Sequence, residues 1–152
     1  MYEIEVSTSE EFPVPENLIR ETLIATLQAE QVSQANIVVA CVDDATIHVV
    51  NREHLNHDYP TDVISFLYEE SSESGERALD GELIVSMETA IRQAGVYGWN
   101  PLDELRLYLV HGLLHLCGYD DHDAAERKEM RGRERSILQK WDLTPHYDEE
   151  VL

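Results

Sequence analysis

The chain has 152 residues, enough to bury one hydrophobic core and too few for two of ordinary size, so we expect one domain over residues 1–152. Its 31 Asp and Glu against 11 Lys and Arg give a formal charge of -20, which repels polyanions unless local cations or a metal ion offset it. No long uncharged apolar run predicts a membrane span, and the N-terminus lacks a signal-peptide pattern. We therefore expect a cytoplasmic protein with reduced cysteines.

Hydrophobic periodicity predicts strands interleaved with helices along the chain. The predicted elements are a strand at 2–7, a helix at 15–31, a strand at 35–42, a helix at 44–55, a turn at 58–62, a strand at 63–68, a strand at 82–87, a helix at 87–98, a helix at 101–117 and a helix at 123–141. The polar, Gly- and Ser-rich stretch 69–82 has no periodicity and predicts an exposed hairpin-type loop.

The helix predicted at 101–117 is apolar nearly all round after Arg106, which indicates a central, buried position. Asn100 is a suitable N-cap, Pro101 fits the first helical position, and Gly118 fits a left-handed C-terminal cap. The pattern as a whole predicts an α+β fold with a mixed β-sheet packed against helices, one of which is buried and carries the first two histidines of the "HGLLHLCGYDDH" stretch.

His111 and His115 lie four residues apart on this helix, so their imidazoles project from one face and can converge on one ion. Gly118 lets the chain reverse and brings His122 within reach. Three neutral imidazoles with a fourth position open are typical of a catalytic zinc site, where the ion activates a water molecule. Asp120 and Asp121 either orient an imidazole through its second nitrogen or serve as ordinary turn residues.

Gly112 lies inside the buried helix, where glycine costs roughly 1 kcal/mol against alanine, so we expect another part of the protein or a substrate to approach closely there. It also occupies the position at which HExxH metalloproteases carry their glutamate, which argues against peptidase chemistry. Cys117 points to the other side of the helix from His115, and we expect it to be a core residue.

Three ordered motifs resemble those of the YbeY family of zinc-dependent, single-strand-specific endoribonucleases. "HGLLHLCGYDDH" is similar to the family's HGxLHLxGYDH signature, "HDYPTDVISF" at 57–66 to its D-x-P-T-D-V-L-S-F segment, and "DGELIVSMETAIRQA" to its G-[DE]-I-x-I-S stretch. "NREHL" at 51–55 resembles the helix end that precedes the second of these. The resemblance covers most of the chain.

The resemblance implies a small α+β fold in which His111, His115 and His122 hold one zinc ion per chain and take part in catalysis. Nickel or cobalt would suit the same ligands. The implied substrate is single-stranded RNA, in particular ribosomal RNA during its maturation, received in a cleft beside the metal. Small-subunit ribosomal proteins or an assembly GTPase are the implied partners, whereas DNA and membranes are not expected.

Two departures from the family pattern bear on the site. Both Asp120 and Asp121 stand between Tyr119 and the last histidine, where the family often has one aspartate, so Asp121 is an alternative to His122 as the third ligand. Leu55 stands where the family often has an arginine, a loss that Arg52, His54 or His57 would have to make good. Asp62 either orients groups at the edge of the cleft or caps the turn into the following strand.

Two other functions compete with RNA cleavage. The first is a zinc hydrolase of an amide, ester or small phosphoester, for which the negative charge is no obstacle. The second is a ribosome-assembly factor whose metal serves mainly for folding, although structural zinc sites are normally closed by four protein ligands. The basic residues of the last predicted helix alternate with Glu126, Glu129 and Glu134, which favours a solvated, salt-bridged face over a phosphate-binding one.

Overall fold

The computed structural model describes residues 1–57, 61–73 and 75–146. Within them the chain forms four strands and five α-helices, followed by a short 3₁₀ helix at Gln139–Trp141. The strands are β1 (Tyr2–Ser7), β2 (Gln34–Val42), β3 (Val63–Glu73) and β4 (Glu76–Ser86), and the helices are α1 (Glu16–Ala29), α2 (Asp44–Leu55), α3 (Met87–Tyr97), α4 (Pro101–Leu116) and α5 (Ala124–Leu138). The predicted α+β class, with a mixed sheet against helices, is confirmed.

The four strands form one sheet in the order β1-β2-β4-β3. β1 pairs with β2 and β2 with β4 in parallel, whereas β3 and β4 are antiparallel and form a hairpin. Parallel strands require a crossover, and α1 supplies it between β1 and β2. The hairpin makes β3 an edge strand, and this edge lies beside α4.

The ends of the helices follow from their capping residues. The side chain of Asn100 accepts a hydrogen bond from the backbone N–H of Leu102 at 2.9 Å, and Asp43 accepts one from Thr46 at 2.7 Å. After α4 the chain reverses at Gly118, whose φ of 104° is accessible to glycine at little cost. The predicted start of α4 and its glycine stop are therefore confirmed.

α4 lies at the centre of the larger hydrophobic core, as its uninterrupted apolar sequence predicts. Leu105, Leu109 and Leu113 have no exposed surface, and the helix contacts α1, α3, α5, β3 and β4. Isoleucines from α2, β3 and β4 form a smaller cluster, and its buried members are Ile47, Ile64 and Ile84. Cys117 is buried as expected, and burial raises the pKa of its thiol to about 12.

The prediction of a loop over 69–82 is wrong, because most of this stretch belongs to the hairpin strands β3 and β4. Residues 69–73 of β3 are all exposed. This part of the strand therefore lacks the alternation of polar and apolar residues that identifies a half-buried strand. The antiparallel backbone ladder to β4 holds the strand instead. Part of the turn predicted at 58–62 lies outside the described residues. Among the described residues no helix has the length and apolar character needed to cross a membrane.

Candidate metal centre

The helical spacing of His111 and His115 brings their imidazoles together on one face of α4. Their Nε2 atoms are 3.1 Å apart, and the two rings are nearly perpendicular, with centroids separated by 4.7 Å. About a quarter of each side chain is exposed, so the pair lies at the surface of the core. Both imidazoles are therefore partly accessible to a ligand.

The turn after Gly118 brings Asp121 to this pair. Its Oδ2 atom lies 3.7 Å from Nε2 of His111 and 3.8 Å from Nε2 of His115. One ligand atom from each of these three residues lies within 4.8 Å of the others, which makes them a group able to hold a metal ion. Arg127 holds the turn by donating a hydrogen bond to the backbone carbonyl of Asp121 at 3.2 Å.

His122 and Asp120 lie beside this group. The side chain of His122 is 78% exposed, and its Nε2 is 3.5 Å from Oδ1 of Asp120. Oδ1 of Asp120 is also 3.8 Å from Nδ1 of His115. The group of potential metal ligands among the described residues thus contains Asp121, the alternative that the doubled aspartate raised, and does not contain His122.

The second nitrogen of each imidazole is engaged by a partner. Nδ1 of His111 is 2.6 Å from Oε1 of Glu134, a carboxylate on α5 that is only 2% exposed. Nδ1 of His115 is 3.0 Å from the carbonyl oxygen of Tyr119. Because both partners are acceptors, each Nδ1 carries the proton, and the Nε2 lone pairs therefore face each other and Asp121.

This donor set fits zinc. Nitrogen ligands about 2.0–2.1 Å from a tetrahedral zinc ion lie roughly 3.3 Å apart, close to the observed separation of the two Nε2 atoms. Orientation of a ligating imidazole by a carboxylate or a backbone carbonyl is the usual outer arrangement of such sites. Three protein ligands leave a coordination position for water or substrate.

The environments of the two imidazoles shift their pKa values in opposite directions. Burial lowers the pKa of His111, but the hydrogen bond with Glu134 and the charge of that carboxylate raise it by more. The pKa of His111 is therefore above its ordinary value. Burial and the neighbouring His111 lower the pKa of His115. At neutral pH His115 is therefore uncharged and ready to bind a metal, whereas at His111 the metal competes with a proton.

Glu134 was not identified from the sequence, which predicted a solvated position for it. Its neighbours on α5 contain the signal, because Met130, Ile137 and Leu138 are buried and Glu134 occupies the same face. A carboxylate at a core position of an amphipathic helix requires a buried partner. The structure supplies His111 as that partner.

Two surfaces reach the centre, and His111 lines both of them. The first, here called the arginine cleft, has a volume of about 590 Å³, and it is lined by His111, Asp121 and Glu134 together with Arg92, Arg127, Arg131, Asp62, Thr61, Thr89, Gln93, Tyr97, Glu104, Leu107, Tyr108, Met130 and His146. The second, here called the β3 groove, has a volume of about 330 Å³, and it is lined by Leu55, Val63, Ile64, Ser65, Leu67, His111, His115, Leu116 and Asp120.

The remaining candidates from the sequence separate into lining and distant residues. Asp62 lines the arginine cleft, and its carboxylate also accepts a hydrogen bond from the backbone N–H of Val63 at 2.7 Å, so its role in orienting groups at the cleft stays a prediction. Leu55 lines the β3 groove. Arg52 is exposed on α2 and lines neither surface.

The close approach expected at Gly112 comes from the hairpin. A Cβ atom at this position would lie 2.8 Å from Cγ2 of Val63 and 3.1 Å from Cδ2 of Leu83. Ser65 donates a hydrogen bond to the carbonyl oxygen of Gly112 at 2.8 Å. Glycine therefore lets β3 and β4 pack directly against the helix that carries both histidines.

Together the fold and this centre define a small α+β protein with a His-His-Asp metal-binding group beside a cleft. A family model described as Endoribonuclease YbeY matches residues 3–142. The Endoribonuclease YbeY of Rhodopirellula baltica is 45% identical over 123 residues, a match that covers 79% of this chain and 61%, less than two thirds, of that protein. The Endoribonuclease YbeY of Moorella thermoacetica is 40% identical over 140 residues, covering 84% of this chain and 89% of that one.

The chain belongs to the Endoribonuclease YbeY family. A solution structure of a Thermotoga maritima protein is similar with a TM-score of 0.62 at 20% identity, covering 97% of this chain and 100% of that one, and it supports the fold. The family membership and fold expected from the three sequence motifs are thus confirmed.

Proposed function

We propose that this protein is a metal-dependent endoribonuclease specific for single strands, with His111, His115 and Asp121 as the ligands of one zinc ion. The observation that carries the proposal is the convergence of two Nε2 atoms and a carboxylate, because such an arrangement is favourable only when a cation or a proton lies between them. The names of the relatives support RNA as the substrate.

The residues of the chain have separate tasks in this reaction. Glu134 and the carbonyl of Tyr119 fix the tautomers of His111 and His115, so that both present Nε2 to the ion. A bound zinc ion would supply Lewis-acid chemistry at the phosphodiester. Arg127 holds the turn that carries Asp121, and the arginine cleft gives an RNA strand access to His111 and Asp121.

His122 is the alternative third ligand, since it directly follows Asp121 in the turn after Gly118. Ribosomal RNA as the natural substrate and small-subunit ribosomal proteins or an assembly GTPase as partners are parts of the proposal that follow from the family resemblance. A cytoplasmic location, expected from the sequence pattern, is also part of the proposal. The proposal treats residues 1–152 as one domain.

The proposal is tested by metal analysis of the purified protein and by cleavage of single-stranded and duplex RNA with and without a chelator. We expect bound zinc, cleavage of the single strand alone, and loss of cleavage on chelation. His115→Ala should abolish cleavage with the fold retained, whereas His48→Ala, which changes a histidine on α2, should not. Cleavage that is indifferent to chelator and to His115→Ala would refute the catalytic role of the metal.

The same measurements separate the competing functions. A protein that unfolds on chelation and never cleaves RNA would be an assembly factor with a structural metal. A folded, zinc-containing protein that hydrolyses a small ester or phosphoester but leaves RNA intact would be a hydrolase of another class. The open coordination position favours catalysis over a structural role.

A further inference from the structure

Arg92 is held in a fixed orientation at the wall of the arginine cleft. Its Nη1 atom is 2.6 Å from Oδ2 of Asp44, a residue 48 positions earlier, and its Nη2 is 3.2 Å from Oγ1 of Thr89. Asp44 is itself anchored, because Oδ1 accepts hydrogen bonds from Ser86 and Thr89. The guanidinium carries further N–H donors, and its side chain is 52% exposed, so Arg92 is oriented without being enclosed.

The cleft differs in charge from the rest of the molecule. Three of the 11 Lys and Arg line it, against four of the 31 Asp and Glu. Each of these acids has a partner. Asp121 belongs to the metal-binding group, and Glu134 is hydrogen-bonded to His111. Glu104 is 2.6 Å from Nε2 of His146, and Asp62 accepts a hydrogen bond from a backbone N–H. With a divalent ion bound, this surface is far less acidic than the protein as a whole.

Tyr97 lies on the same helix as Arg92 and also lines the cleft. One face of its ring is stacked on His146, with centroids 3.8 Å apart and planes inclined by 9°. The side of Trp99 supports His146 at a centroid distance of 4.9 Å. Tyr97 remains 51% exposed, so His146 supports the ring while about half of the residue stays accessible. Such a ring suits an unpaired nucleobase.

We propose that the arginine cleft binds the single strand next to the scissile position, with Arg92 contacting a backbone phosphate and Tyr97 stacking on a base. This inference rests on the proposed function and assigns the strand to one side of the metal centre. Arginine suits the phosphate contact because its planar donors match phosphate oxygens, and the anchored Asp44 reduces the entropy lost on binding. Stacking on Tyr97 requires an unpaired base and so selects single strands.

The test is the salt dependence of binding, measured with a 2′-O-methyl oligonucleotide that cannot be cleaved through its own 2′-oxygen. The logarithm of the binding constant falls with the logarithm of the salt concentration, and one lost phosphate contact makes this slope less steep by about 0.7 for a single strand. We expect this reduction for Arg92→Gln and not for Arg92→Lys, which keeps the charge. The matched control is Arg20→Gln, which removes an ion-paired arginine on α1 outside the cleft.

Tyr97→Leu should show a different signature, a loss of affinity of about fivefold or more with the slope unchanged, because stacking releases no counterions. The matched control is Tyr68→Leu, which changes an exposed tyrosine on β3. Circular dichroism and thermal unfolding verify that each variant is folded.

The outcomes distinguish this inference from the proposed function. If the wild type cleaves RNA but Arg92→Gln and Arg20→Gln have the same slope, the cleft assignment is wrong and the endoribonuclease proposal stands. If the wild type binds the oligonucleotide with the predicted Arg92 and Tyr97 signatures but cleaves no RNA, the cleft assignment stands and the catalytic proposal fails. No binding by the wild type at low salt would overturn the cleft assignment.

Discussion

The arginine cleft and the β3 groove meet at His111 but present different chemistry to a nucleic acid. The cleft carries Arg92, Arg127 and Arg131, whereas none of the described residues that line the groove is a Lys or Arg. Leu55 and Leu67 are 43% and 46% exposed in the groove and give it an apolar surface. The cleft therefore offers positive charge beside the centre, whereas the groove offers mainly apolar contacts.

This difference explains how an acidic protein can approach RNA. Long-range repulsion depends on the whole charge of -20, but the contact energy depends on charges within about one Debye length, roughly 8–10 Å. A local cluster of arginines and a divalent ion act at that range. We expect the affinity for RNA to fall as salt weakens the cleft contacts.

The largest effect should come from Asp121, which joins the cleft to the metal centre. Asp121→Ala removes one of the three proposed ligands, and we expect metal affinity and RNA cleavage to fall by about 100-fold or more. His122→Ala, one residue further on, should leave both nearly unchanged because that side chain is largely exposed. Equilibrium competition with a chromophoric chelator measures the metal affinity, and the reverse pattern would identify His122 as the ligand.

Glu134, on the cleft side, should have the next largest effect. Glu134→Gln keeps an acceptor near His111 but removes the charge, and loss of such an outer partner typically costs 10–100-fold in metal affinity or activity, so we expect about that range. Glu129→Gln, an exposed change on the same helix, is the control. Equal metal affinities of the two variants would show that Glu134 does not orient His111.

Gly112 tests how tightly the groove side is packed. Gly112→Ala gains about 1 kcal/mol of helix propensity, but its Cβ would meet Val63 and Leu83, and overpacking costs about 1–3 kcal/mol, so we expect a net loss in the free energy of unfolding. Gly132→Ala on α5 has no neighbour within 4 Å and should stabilise the protein instead. Urea denaturation measures both, and a stabilising Gly112→Ala would show that β3 moves freely away from α4.

The smallest effect should come from adding charge to the β3 groove. Leu55→Arg introduces the residue that the family often has there. One new phosphate contact would make the slope of the logarithm of the binding constant against the logarithm of the salt concentration steeper by about 0.7. Val49→Arg, at a similarly exposed position on α2 outside the groove, is the control. Equal slopes for the two variants would mean that the strand does not place a phosphate near residue 55.

Much of the fold was predictable because its signals are local. The predicted strand at 2–7 matches β1. The caps predicted at Asn100 and Gly118 give the two ends of α4 to within a residue or two. The hairpin strands over 69–82 were missed because their exposed residues carry no periodicity, and pairing between β3 and β4 decides their conformation. The convergence of His111 and His115 followed from the helical repeat alone.

The rest of the site depended on contacts distant in sequence. Whether Asp121 or His122 faces the imidazoles is set by a turn between two helices, and the packing of α5 and the bond from Arg127 fix that turn. Glu134 reaches His111 across 23 residues, and Asp44 orients Arg92 across 48.

The sequence by itself determined the α+β elements, the family and the histidine pair, because helical and strand periods are properties of neighbouring residues. Only the tertiary structure decided which carboxylates and arginines surround the pair, because those positions follow from how the helices pack.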